Sequence, residues 1–138
     1  MSQVKIIDFH VHIGQSIFGY GQSVEELLNQ MNGLQIAQAV ICPLKPFAYH
    51  LEPENEGIAE AVKNYPEYLI GFARVDPRLG AEAQEEVKRC VEDLHLKGLF
   101  LHPWEETYPI NAPFVKKLME TVSDYHLPVM ISGGHVRV

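Results

Sequence analysis

The chain has 138 residues, 46% of them apolar and 21% charged, the size and composition of a single globular domain spanning 1–138 with a substantial core. Eleven basic against 18 acidic residues leave a net charge of −7 with the basic residues scattered, which argues against nucleic-acid binding and against attraction to anionic membranes. No apolar run approaches the roughly 20 residues of a membrane span, the N-terminus lacks a signal-peptide pattern, and Cys42 and Cys90 form no close pair, so two reduced thiols in a cytoplasmic protein is the simplest expectation.

The first predicted element is a strand over 4–14, reading Val-Lys-Ile-Ile-Asp-Phe-His-Val-His-Ile-Gly. Side chains alternate across a strand, so Asp8, His10 and His12 share one face while Ile7, Phe9, Val11 and Ile13 take the other. The polar face strengthens towards the C-terminal end, where parallel α/β folds keep their active sites. Two neutral imidazoles at this spacing can converge on one divalent cation. The alternative is a pair of core histidines hydrogen-bonded to neighbouring carbonyls.

Residues 14–22, with Gly14, Gly19 and Gly21, read as a loop. Ser23 and Glu26 form a capping box for a helix whose apolar stripe is Val24, Leu27, Leu28 and Met31, and Gly33 is its expected stop. A second strand covers 37–42. The loop 43–53 carries Lys45, Phe47, Tyr49 and His50, and a helix is expected over 54–64 with Ile58, Ala61, Val62 and Tyr65 inward. A third strand spans 68–75, and a helix over 81–94 places Ala83, Val87, Cys90, Val91 and Leu94 at spacings of three and four. The fourth strand, 98–101, delivers His102-Pro103-Trp104 to its C-terminal end. Asn111 is the expected cap of a helix carrying Phe114, Val115, Leu118, Met119, Val122 and Tyr125. The fifth strand, 128–131, leads into Ser132-Gly133-Gly134-His135.

The predicted strands start near residues 4, 37, 69, 97 and 128, a βα repeat with parallel strands and right-handed crossovers. Five strands and four helices supply about four and a half βα units, whereas an eight-unit barrel needs roughly 250 residues. A five-stranded flavodoxin-like sheet fits the length but needs a further helix after its last strand.

Ile7-Asp8-Phe9-His10-Val11-His12 at the head of such a repeat resembles the amidohydrolase superfamily, in particular the amidohydrolase-2 branch that includes aminocarboxymuconate-semialdehyde decarboxylase-like enzymes. Residues 71–77, 97–103 and 127–131 are similar to that branch in order and position. The resemblance covers nearly the whole chain but only the N-terminal half of such a protein. It implies an α/β fold of the (β/α)8 TIM-barrel type, present as a half barrel, and a divalent metal, usually zinc, held by His10 and His12. It implies a small-molecule substrate and a metal-dependent hydrolase of amides, esters or lactones, or a decarboxylase of unsaturated acids. Asp8 is then a candidate hydrogen-bond acceptor that orients one of these imidazoles.

Where relatives commonly end the fifth strand in a metal-binding His, this chain has Ser132, with His135 three residues on as a candidate replacement, and Phe100 stands where relatives often carry Lys. Further expected ligand and acid/base positions belong to later strands, so the chain needs either a C-terminal half or a second copy. His102, beside Trp104, Glu105 and Glu106, is a candidate for substrate binding or acid/base work, or packs in its loop. Arg74 either pairs a substrate carboxylate or bridges Asp76. His95 and His126, at helix C-termini, read as structural. Two other classes stay open beside the enzyme: a half-barrel that binds without turnover, and a compact flavodoxin-like binding domain.

Overall fold

The computed structural model describes residues 4–134, and the chain divides into two compact units, the first running to Phe72 and the second starting at Ala73. In the first unit the elements are β1 (Ile6–Gln15), β2 (Gly21–Gln22), α1 (Val24–Leu34), β3 (Ile36–Pro43), α2 (Glu52–Asn64) and the start of β4 (Leu69–Arg74). The strands lie in the order β2-β1-β3-β4. β1 runs parallel to β3, which runs parallel to β4, and β2 is antiparallel to the end of β1. Parallel neighbours joined through helices are the arrangement the βα repeat predicts.

β3 is buried along Ala39–Pro43, with Ile41 and Cys42 fully inaccessible, as expected for a strand covered on both faces. Leu27 and Met31 of α1 and Ile58 and Ala61 of α2 are buried at helical spacing. The capping box is formed: the Ser23 hydroxyl accepts from the Glu26 N–H, and the Glu26 carboxylate accepts from the Ser23 N–H.

Several boundaries differ from the expected ones. The segment 14–22 is not all loop, because β1 continues to Gln15 and Gly21–Gln22 pairs back onto it. Gly33 lies inside α1. The left-handed residue that ends the helix is Gln35, at φ 56°, whose N–H reaches the carbonyls of Asn32 and Met31. α2 begins at Glu52, since Pro53 fits the first turn, where a missing N–H costs nothing.

The clearest correction concerns β1. Val11 and Ile13 are buried as expected, but Ile7 is 47% exposed and Phe9 58%. Among the described residues one edge of β1 pairs with β3, while the other is covered by β2 only at Gly14 and Gln15. Among the described residues the leading half of the strand therefore has a neighbouring strand on one edge only, and its apolar side chains stay largely exposed.

In the second unit a short 3-10 turn (Pro77–Leu79) leads into α3 (Ala81–Glu92), β5 (Gly98–Leu101), α4 (Pro113–Asp124) and β6 (Val129–Ile131). β5 and β6 are parallel, with Leu99 opposite Val129 and Leu101 opposite Ile131. α3 packs against α4, and Leu99, Phe100, Leu101 and Leu118 are fully buried. Asn111 does not cap α4. Ala112 holds the N-cap position and Pro113 starts the helix with its preset φ. His95 and His126 follow their helices at φ 55° and 52°, the left-handed conformation that breaks a helix. His135 lies outside the described residues.

Candidate metal centre

The two histidines lie two apart on β1, whose ladder with β3 is irregular at the first of them. Asp8 pairs with Ala39 and Val11 with Ile41, so Phe9 and His10 together face Val40 and the ladder slips by one residue. Such a bulge re-aims a side chain and frees a backbone N–H. The freed N–H of His10 donates to the Asp8 carboxylate at 3.2 Å. Asp8 thus steadies the backbone of His10. His10 and His12 meet through their Nε2 atoms at 2.9 Å, with ring centroids 4.8 Å apart.

That separation fits a shared cation. Two nitrogens each about 2.1 Å from one ion lie about 3 Å apart at a right angle and about 3.4 Å apart at a tetrahedral one, so the observed spacing is nearer the first. The donor set also fits, since neutral imidazole nitrogen is the commonest metal ligand. His12 is half-buried and His10 exposed, so the pair is reachable from solvent.

A third candidate donor was not anticipated. Cys42 stands opposite His12 in the β1–β3 register, and one ligand atom each from His10, His12 and Cys42 lie within 4.8 Å of one another. The Cys42 sulfur is 3.4 Å from His12 Nδ1, and the Pro43 carbonyl is 3.3 Å from the same nitrogen. Thirty residues separate the cysteine from the histidine, so only strand pairing reveals the contact.

Beside this centre, a cleft of about 230 Å³ is lined by Ile13, Gly14, Ser23, Glu54 and Ile58. The Glu54 carboxylate lies over Gly14, where a Cβ would stand 3.2 Å from Oε2, and the φ of +108° is what favours glycine there. Desolvation by burial pushes the Glu54 carboxyl above its usual range.

The remaining candidates lie in the second unit. Arg74 is fully buried and donates at 2.5 Å to both Glu105 and Glu106, with its guanidinium 5.5 Å from the centre of the Phe100 ring. It ties down the loop after β5. Asp76 is held by Arg78 at 2.7 Å. His102 Nδ1 accepts from the Glu105 N–H at 3.3 Å and its Nε2 lies 3.7 Å from the Glu105 carboxylate, so the ring belongs to the same loop cluster. Trp104 is 51% exposed. The Tyr108 hydroxyl is buried without a hydrogen-bond partner among the described residues; burial, then the nearby Glu106, pushes its phenol upward.

The sequence matches the Amidohydrolase family over residues 7–137. The chain belongs to that family. No protein of curated function matches it. Among solved structures it is similar to a 5-carboxyvanillate decarboxylase from Sphingomonas paucimobilis, at 15% identity and a TM-score of 0.80, covering 94% of this chain and 52% of that one. It is also similar to a probable 2-pyrone-4,6-dicarboxylic acid hydrolase from Acinetobacter baumannii, at 18% identity and a TM-score of 0.66, covering 93% and 49%. A third likeness is to a manganese-bound 5-carboxyvanillate decarboxylase from Novosphingobium aromaticivorans, at 18% identity and a TM-score of 0.69, covering 76% and 33%. The fold is therefore the (β/α)8 type in part, and the chain spans about half the length of the first two structures.

Proposed function

We propose that this chain supplies the first part of the active site of a metal-dependent hydrolase acting on an amide, ester or lactone, with His10 and His12 as metal ligands. The observation that carries the reading is the approach of the two Nε2 atoms to 2.9 Å at a bulge in β1. A bound zinc ion would polarise a carbonyl and lower the pKa of its water towards 7. Decarboxylation of an unsaturated acid is the second reading, supported by the likeness to 5-carboxyvanillate decarboxylases. Manganese is the alternative ion, being present in one of those structures.

This chain's own residues hold the site in shape. Asp8 fixes the backbone at His10, and the Pro43 carbonyl accepts from His12 Nδ1. Catalytic zinc normally takes three protein ligands, so the pair is part of a set. The rest comes from further βα units, in a longer chain or in a second copy.

A screen against model amides, esters, lactones and unsaturated acids, with Zn2+ or Mn2+ supplied, tests this alongside light scattering. Turnover is expected only from an assembly larger than the 15.6 kDa chain, and is lost in His10→Ala and His12→Ala. A monodisperse monomer that turns over substrate contradicts the need for further units. Turnover that survives both substitutions contradicts the metal centre.

A further inference from the structure

We infer that Cys42 is a positioning residue for His12: its sulfur and the Pro43 carbonyl together keep the imidazole proton on Nδ1 and leave Nε2 bare for a cation. The inference rests on the reading of His10 and His12 as metal ligands.

Two carbonyls settle where the protons lie. A carbonyl oxygen only accepts, so the 3.3 Å contact between Pro43 O and His12 Nδ1 is a hydrogen bond only with the proton on Nδ1. The Val11 carbonyl, 3.6 Å from the Cys42 sulfur, likewise takes the thiol proton. With its own proton turned to Val11, the sulfur presents lone pairs to His12 Nδ1 at 3.4 Å. The Nδ1–H is then shared between oxygen and sulfur. Nε2 is left as an acceptor, which suits the 2.9 Å contact with His10 Nε2: in the metal-free protein His10 donates there. The opposite tautomer of His12 would place a proton where a cation must bind; His10, which carries its proton on Nε2 in this contact, has to move it to Nδ1 when a cation arrives.

The same geometry argues against Cys42 as a ligand. His10 approaches one end of the His12 ring and the sulfur the other. His10 and His12 would hold a cation through their Nε2 atoms, whereas the sulfur touches the other nitrogen of the His12 ring. Cys42 is fully buried and stands opposite His12 in the strand register, so its place is set by the backbone ladder.

The test uses the 138-residue chain as wild type, Cys42→Ala, Cys42→Ser and His12→Ala. Long-range 1H–15N spectra of the imidazoles in metal-free protein read the tautomer, and calorimetric titration with Zn2+ and Mn2+ reads affinity. Wild-type His12 is expected as the Nδ1–H tautomer. Cys42→Ala should shift its nitrogen signals towards a tautomer mixture and weaken cation binding about 10-fold, the lower end for losing an outer partner. Cys42→Ser, which keeps an acceptor, should recover part of both. His12→Ala assigns the His12 signals, and the other proteins separate the two claims: if the wild type binds no cation but Cys42→Ala still moves the tautomer, the metal reading fails and the positioning role stands. A wild-type His12 protonated on Nε2 overturns the inference, even if the variants do not fold. So does a folded Cys42→Ala with unchanged spectra and affinity, or a thiolate-to-metal charge-transfer band in the Co2+-loaded wild type.

Discussion

At the scale of single residues, burial decides what a charged side chain can do. Arg74 sits at the end of a strand in the sequence, where a substrate clamp or a bridge to Asp76 are equally readable. In the fold its guanidinium is inaccessible and answers two carboxylates more than 30 residues away. Nothing local in the sequence marks Glu105 and Glu106 as its partners, because the pairing depends on the end of β4 lying beside the loop after β5. Removing one partner of a buried ion cluster strands the others, so Arg74→Met should cost about 3–5 kcal/mol in denaturant unfolding. A loss within 1 kcal/mol would show the cluster to be solvated. Glu54 predicts a pH effect of known sign. Burial raises its folded pKa above the unfolded value of 4.5, so the folded state binds the extra proton and stability falls as pH rises through that window. Glu54→Gln should therefore raise Tm at pH 7 and give no gain well below pH 4.5. An equal gain at both would assign the effect to something other than ionisation.

At the scale of elements, periodicity located the strands and helices but not their irregularities. Helix α1, its capping box and its stripe of Leu27 and Met31 follow from spacing alone. So does the convergence of His10 and His12, since residues two apart share a face. The bulge that slips β1 against β3 is invisible in the sequence, because it exists only as a mismatch between two strands. The same is true of Cys42, legible as a buried thiol and not as the neighbour of His12. Alternation assigned Phe9 and Val11 to one buried face, yet only the end of β1 next to β2 is covered. The two residues should then differ in stability cost. Val11→Ala should lose roughly 2 kcal/mol, while Phe9→Ala should lose about 1 kcal/mol, the worth of its edge-to-face pair with Phe72, centroids 5.9 Å apart. Equal losses near 3 kcal/mol or more would restore the fully covered strand.

At the scale of the whole molecule, the βα repeat was legible from the even spacing of its strands, and the family match over residues 7–137 agrees with it. The proposed cation belongs to the histidines of β1 and to no other histidine or acidic cluster among the described residues. Mn2+ titrated into 15N-labelled protein tests that most directly, because its paramagnetism broadens the signals of nearby nuclei first. His10 and His12 are expected to broaden at substoichiometric Mn2+, His50, His95 and His126 are not, and the effect is expected to vanish in His10→Ala and His12→Ala. Broadening that begins at Glu52, Glu54 and Glu56, or that spreads evenly over all the histidines, would contradict it.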